Sequence, residues 1–350
     1  MLNESGRAGE IRTGSRPSCV LCGGNGEVVY RDLRDRLFSA AGEWTMKRCT
    51  DRGCALLWLD PMPLEDDLAK AYERYYTHAT RTDTHPPGRL KRIYLALKRA
   101  YLASEYNYRS DTELPLIPFL GQLLRFFPLR RLQVDEEVRF LAAAPGNKLL
   151  DVGCGSGDWL VSMRGLGWDV TGIDFDERAV RTGAQQGLPV KCGALEQQAF
   201  PNESFDAITL HHVIEHVPDP IRTLRECARI LRPGGRLVLS TPNASSLGHR
   251  IFKRDWRGLE PPRHLHVFSS NSIRHALAIS GLRDVTIQPQ IADSIFYESC
   301  LLRLGQRGPF SGSRRRAWIW AASRLFAAME VLLVQWRPAL ADCTTAIAVK

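Results

Sequence analysis

Residues Leu149 to Asp158 (Leu-Leu-Asp-Val-Gly-Cys-Gly-Ser-Gly-Asp) restrict the fold more than any other stretch of the chain. A short apolar run leads into three alternate glycines and then a helical stretch, the pattern of a buried parallel strand, a tight turn and a helix. Glycine suits such a turn because the backbone must take positive φ and approach a ligand with no Cβ between them. The amides that open the next helix then favour an anionic or polar ligand group. A dinucleotide fingerprint, G-x-G-x-x-G, would place its third glycine at position 158, where this chain has Asp158. The spacing here is G-x-G-x-G, with Asp151 ahead of the first glycine. Farther on, Trp168 to Asp174 reads as a second strand closing on a carboxylate. That lies about one βαβ unit along, where an acid can accept both hydroxyls of a ribose.

Three more segments follow in order: Phe205 to Leu210 as a strand, Val213 to Pro220 after it, and Leu231 to Leu239 as a glycine turn into another strand. Together with the first glycine turn and Asp174, they resemble the class I S-adenosylmethionine-dependent methyltransferases. The resemblance implies an α/β fold, a Rossmann-like seven-stranded sheet in the order 3-2-1-4-5-7-6 with strand 7 antiparallel. It implies S-adenosylmethionine as cofactor, contacted by Asp151, Gly153, Gly155, Gly157, Asp174, Phe175, Ala194, Leu195 and His211, with Leu195 packed on the base. Helices are expected near 158–165, 177–186, 221–231 and 271–280, with the sixth strand at 282–288 and the seventh at 344–350. Residues 135–144 are expected to form the helix just ahead of the first strand.

At the front, Cys19 and Cys22 form a C-x2-C knuckle, and Cys49 and Cys54 follow a strand-like segment. Two cysteine pairs are what a tetrahedral four-thiolate zinc site needs, although the second pair is spaced C-x4-C where C-x2-C is usual. Free structural thiols are the alternative. The run Ala55 to Pro61 resembles the zinc ribbon attached to several sugar and small-molecule methyltransferases, so a structural zinc is expected. A module this small contributes too little apolar core to fold without such a site.

With 350 residues the chain can hold one large domain and appendages. The expected division is a disordered start at 1–18, a zinc-ribbon-like module at 19–62 and a helical lead-in or lid at 63–146. The methyltransferase domain follows at 147–290, then a basic apolar helical insertion at 291–342 and the last strand at 343–350. Residues 64–76 have helical spacing. Between residues 89 and 108 the chain is basic and tyrosine-rich, flanked by Pro86-Pro87 and by Pro115, Pro118 and Pro128, and reads either as a helix packed on the sheet or as a docking surface. The polar start is not expected to be a secretory signal, so the expected location is the cytoplasm, with nine reduced cysteines. A net charge of +9 suits an anionic partner without choosing among nucleic acid, phosphate-bearing substrate and acidic lipid.

Inside the insertion, Ala317 to Trp336 is mostly apolar but interrupted by Arg324 and Glu330. A charge at a bilayer centre costs roughly 2.5–3.5 kcal/mol on insertion scales. With seven arginines against one acid between Leu301 and Arg337, the stretch reads as an interfacial helix at the inner face of a membrane, or else as a helix closing a pocket or a dimer surface.

Methyl transfer to a hydroxyl needs alignment and a base. The candidates are His211, His212 and His216 after the fourth strand, and His264 and His266 in the run Pro261 to Ser269, which resembles the R-H-L-x-x-F segment of related methyltransferases. His264 is the first choice as base or orienting group, with His216 anchoring the loop. The ubiquinone-pathway O-methyltransferases carry E-x-x-E-H where this chain has His212, Glu215 and His216, so only the last two match, and a catalytic magnesium is not expected. The leading expectation is O-methylation of a saccharide or lipid-linked glycan intermediate. A quinone or phenol acceptor, a ribosomal RNA acceptor and an inactive cofactor-binding scaffold are the alternatives. Asn243 to Ser246 lacks the aromatic platform of N/D-P-P-Y base methylators, which argues against nucleic acid as partner.

Overall fold

A computed structural model describes residues 10–73, 88–108, 120–143, 146–305 and 314–350. Residues 1–9, the tyrosines at 75 and 76, the break at Pro86-Pro87, Pro115 and Pro118 lie outside the described residues. The strands are β1 (Thr13–Gly14), β2 (Gly26–Leu33), β3 (Trp44–Cys49), β4 (Leu57–Leu59), β5 (Met62–Pro63), β6 (Lys148–Val152), β7 (Asp169–Asp174), β8 (Val190–Cys192), β9 (Phe205–His211), β10 (Leu231–Pro242), β11 (His266–Val267), β12 (Arg283–Gln290) and β13 (Cys343–Val349). Seven of them form one sheet in the order β12-β13-β10-β9-β6-β7-β8, with β6, β7 and β8 parallel and β13 antiparallel to β12. This is the expected 3-2-1-4-5-7-6 order. It follows from two βαβ crossovers on one side of the first strand and a returning antiparallel edge on the other.

The chain divides into two compact units: residues 1–76, 210–228 and 239–350, and residues 77–209 and 229–238. In the second unit, α1 (Arg89–Tyr106) and the residues just after it supply the tyrosines of the basic stretch at 89–108. They are tied down. Tyr101 and Tyr106 both donate to Asp135 Oδ1, at 2.8 and 2.9 Å, and the Tyr108 hydroxyl donates to the Leu141 carbonyl at 2.9 Å. The helix expected at 135–144 is displaced: α2 runs Pro128–Glu137. Proline at the first helical position starts it early, its missing amide hydrogen being one a helix start leaves unpaired anyway. Arg139 (φ 47°) and Phe140 (φ 56°) then take left-handed backbone and end it. Beyond β6 the unit carries α3 (Asp158–Gly165) and α4 (Glu177–Gln185). Asp176 caps α4 by accepting from the Arg178 amide.

In the first unit, β2, β3 and β4 form an antiparallel sheet whose fourth strand is β11, in the order β11-β4-β3-β2. His266 pairs with Trp58 and Val267 with Leu57, and the Leu59 amide donates to the Leu265 carbonyl at 3.0 Å. Trp44, Met46 and the run Leu56 to Leu59 are buried. Residues 65–72 form a 3-10 helix, anchored where Asp67 accepts from the Arg12 backbone and guanidinium. This unit also contains α5 (Pro220–Ile230, up to residue 228), α6 (Leu247–Phe252), α7 (Ser270–Ile279), α8 (Asp293–Arg303) and α9 (Arg314–Trp336). Phe296 of α8 stacks on Phe326 of α9 with ring centroids 4.0 Å apart. Glu330, one of the two charges interrupting α9, is buried and accepts from the Asp342 amide at 2.6 Å. The opposite side of α9 exposes Trp318, Leu325, Met329, Leu332 and Trp336, the first 79 % and the last 87 % exposed.

Candidate active site

Within the second unit, the end of β6 and the turn after it are arranged as the glycines demand. Gly153, Gly155 and Gly157 sit at φ 73°, 55° and 84°, the left-handed region that side chains disfavour. A Cβ on Gly157 would also lie 2.4 Å from Leu188. From the end of β7, Asp174 reaches back to this turn. Its Oδ2 accepts from the Gly155 amide at 2.8 Å and its Oδ1 from the Asp176 amide at 2.9 Å, which fixes the carboxylate's orientation. Leu195 is buried, Ala194 opens the 3-10 turn Leu195–Gln197, and Phe175 is exposed.

Asp151 is 1 % exposed. Its Oδ1 receives the Arg139 guanidinium and, at 2.7 Å, the Thr209 hydroxyl, whereas its Oδ2 is buried with no hydrogen-bond partner. Arg139 also donates to Thr209 at 2.8 Å and lies over the Trp159 ring, 3.5 Å from its centroid. Neither Arg139 nor Thr209 was legible as a site residue, because an arginine just past a helix end and a strand threonine leave no spacing signature.

The first unit gathers the histidines. His212, at φ 55°, places Nδ1 3.3 Å from Glu215 Oε1 and keeps its side chain 35 % exposed. Its ring lies edge-on to that of His211, whose Nε2 meets the Gln290 amide group at 3.3 Å. Glu215 is fully buried. Burial pushes its carboxyl up, but the His212 hydrogen bond and the charges of His216, His212 and His264 outweigh it and hold it down to about 2. Its Oε2 has no hydrogen-bond partner. His216 turns Nδ1 to the Arg263 carbonyl at 3.0 Å, with the Tyr72 hydroxyl at 2.9 Å.

His264 is enclosed instead of facing solvent. Its Nδ1 donates to the Gly258 carbonyl at 2.7 Å, and Nε2 lies 3.4 Å from Glu260. Burial lowers its pKa to about 4 despite the neighbouring Glu260 carboxylate, and lowers that of His266 to about 3. Arg263, 1 % exposed, ties the same loop to Asp35, to Glu260 and to the Ala71 carbonyl. Glu215, His216 and His264 offer ligand atoms within 4.8 Å of one another. A donor set of two imidazoles and one carboxylate suits a transition ion better than magnesium.

The four front cysteines come together in the first unit. Cys19 and Cys54 Sγ are 3.6 Å apart, Cys22 and Cys49 Sγ 3.4 Å, and all four sulfurs lie within 4.8 Å. These separations are close to the edge of ~3.8 Å that a tetrahedron with Zn–S of ~2.3 Å requires. Hydrogen bonding from Cys54 lowers the Cys19 thiol to about 5 against the opposing effect of burial.

Left-handed glycines after a parallel strand, gripped by a carboxylate from the next strand, define an α/β domain built to hold a nucleoside-bearing cofactor. The methyltransferase domain family matches residues 127–287. A ubiquinone biosynthesis O-methyltransferase from Xanthomonas oryzae pv. oryzae is 34% identical over 162 residues, covering 44% of this chain and 67% of that protein. Another ubiquinone biosynthesis O-methyltransferase, from Albidiferax ferrireducens, is 38% identical over 118 residues, 31% of this chain and 47% of that protein. A solved structure of an S-adenosylmethionine-dependent methyltransferase from Thermotoga maritima, described as a possible histamine N-methyltransferase, covers 67% of this chain and 97% of its own at 20% identity and a TM-score of 0.42. The chain belongs to the S-adenosylmethionine-dependent methyltransferases. It is accordingly a methyl-transferring enzyme with S-adenosylmethionine as cofactor.

Proposed function

We propose that the chain O-methylates a small hydroxylated acceptor carried on a lipid tail, working at the cytoplasmic face of a membrane. One observation carries this reading. α9 is amphipathic in three dimensions: Phe326, Ala327, Val331 and Val334 are buried, while an apolar row of Trp318, Leu325, Met329, Leu332 and Trp336 is left outside. Of the described helices, α9 alone is long and apolar enough to cross a membrane, through Trp318–Trp336. Exposed tryptophans beside the basic residues of its flanks suit an interfacial position.

S-adenosylmethionine, when bound, supplies the methyl as an electrophile on sulfur. The backbone of Gly153 to Gly157 would lie against the cofactor and Asp174 would take the ribose hydroxyls. Phe175, Ala194 and Leu195 would complete its surroundings. The unpaired, buried Asp151 Oδ2 fits such a pocket, since an acceptor without a partner is costly to bury. His212 is the base in this reading. It is the histidine that combines an exposed ring with a buried carboxylate, Glu215, to orient it, the arrangement an activated nucleophile requires. His264 and His216 position the loop, and the four cysteines hold a structural zinc.

A lipid-linked saccharide head is the leading acceptor, and a quinone or phenol the second, favoured by what the named relatives are called. Labelled S-adenosylmethionine incubated with fractionated extract tests both. Label in a lipid-soluble glycan supports the first and label in a quinone fraction the second, whereas label in RNA or in water-soluble products alone refutes the proposal. Flotation with anionic liposomes, with and without substitution of Trp318, Trp320 and Trp336 by serine, tests the surface separately.

A further inference from the structure

A cavity of about 770 Å³ stands in the first unit, lined by the β2–β4 sheet and by the segment Ala244 to Lys253. Small-molecule sites occupy ~300–1,000 Å³, so the space suits one ligand and is larger than a surface dimple. Arg48 and Arg52 line it from the sheet side, Arg250 and Lys253 from the other segment, against one acid, Glu27. Among the described residues, none of these four cations lies within 4.0 Å of a carboxylate. A second cavity, of about 410 Å³, shows the contrast. Its Arg36 is engaged by Asp255, its Arg257 by Glu260 and Glu298, and its Arg263 by Asp35 and Glu260. Those three arginines are matched by acids, and the Arg254 of that cavity donates to the Arg31 and Asp32 carbonyls. Four unmatched cations around one cavity raise its potential and favour an anion. Guanidinium groups grip phosphate in bidentate fashion, and the lysine adds a point charge.

The same wall offers a directional group. His249 Nδ1 faces the Ala244 carbonyl at 2.6 Å, so Nδ1 carries the hydrogen and Nε2 must accept. The donor to Nε2 is the Tyr30 hydroxyl, at 3.0 Å. Burial holds His249 neutral, and its ring stacks on Trp256 at 4.7 Å. With its hydrogen committed, the Tyr30 oxygen can only accept from a ligand. We propose that this cavity binds a small hydroxylated phosphate ester of the sugar-phosphate type, its phosphate held by Arg48, Arg52, Arg250 and Lys253 and one hydroxyl by Tyr30. This goes beyond the methyl-transfer reading and does not depend on which group is methylated.

Calorimetry on the full chain, with glucose 1-phosphate and inorganic phosphate as probes at fixed ionic strength, tests it. Glucose 1-phosphate should bind more tightly than inorganic phosphate. Arg48→Ala/Arg250→Ala should weaken both by roughly tenfold or more, the value of at least one charge-assisted contact. Tyr30→Phe should weaken glucose 1-phosphate several-fold and leave inorganic phosphate unchanged. Affinity for S-adenosylhomocysteine should stay unchanged in every variant, showing that each has folded. The proposal is overturned if neither probe gives saturable heat, or if the double substitution lowers metal content while phosphate affinity stays the same. The latter result would make the arginines counter-charges to the thiolates. Tighter binding of single-stranded RNA, lost in the same variant, would overturn it in favour of a nucleic-acid surface.

Discussion

Replacing Arg139 by methionine removes the cation paired with Asp151 while keeping much of the side-chain volume. The arginine is 11 % exposed and the aspartate 1 %, so solvent cannot take over the lost contact. Breaking a buried pair from one side costs about 3–5 kcal/mol, because a charge is left uncompensated. Loss of the Trp159 face adds up to about 2 kcal/mol, and the Thr209 hydroxyl, which still donates to Asp151, offsets a part. A net loss of about 4 kcal/mol follows, and with a urea slope of about 2–3 kcal/mol per molar the midpoint should fall by about 1.3–2 M. Tryptophan fluorescence and far-ultraviolet circular dichroism would follow the transition. Arg139→Met/Asp151→Asn should recover about 2 kcal/mol or more, since the neutral amide has no charge to strand. A single substitution costing under about 1 kcal/mol, or a double with no recovery, would show that this pair is no more than a solvated contact.

Other outcomes are equally specific. Asp174→Ala should weaken S-adenosylhomocysteine binding by roughly 100-fold, two charge-assisted bonds being lost; unchanged calorimetric affinity would remove the ribose role. His212→Ala and Glu215→Gln should lower kcat by about 10²–10⁴ with cofactor affinity intact, and an undiminished rate with the first would exclude His212 as the base. Stability should fall on acidification, starting near the unfolded histidine value. His264 is lowered to about 4 in the fold, so the unfolded chain binds the extra proton and stability is present above pH 6.5 and lost towards pH 4. His264 alone accounts for on the order of 3 kcal/mol of that loss, and His266 adds to it. Urea midpoints between pH 7.5 and 4.5 should slope accordingly, and less steeply in His264→Gln. Cys49→Ser or Cys54→Ser should abolish one equivalent of bound zinc in elemental analysis, with cooperative melting of residues 10–73 lost.

Much of the sheet could be read from the chain itself. A parallel strand, a glycine turn and a terminal carboxylate are local patterns, and β6, β7 and Asp174 fall where those patterns put them. Boundaries governed by distant partners were less legible. α2 ends early because Arg139 turns back toward Asp151, a choice made by a buried charge and not by helix propensity. The run Pro261 to Phe268 resembles a known motif, and it drew attention to His264 as a base or orienting group. Its burial is decided by Asp35 and Ala71, about two hundred positions away, through Arg263. The cavity at Arg48 and Arg250 was equally hidden, since two segments that share no periodicity build it.

The pairing of β11 with β4 has a consequence for how the enzyme would fail. His264 sits two residues before a strand whose hydrogen-bonding partner, Trp58, lies four residues past Cys54. On the proposed reading, an oxidant or chelator that disrupted the four-cysteine site would therefore loosen the loop that holds His264 through a shared backbone seam, lowering turnover without touching a reacting atom.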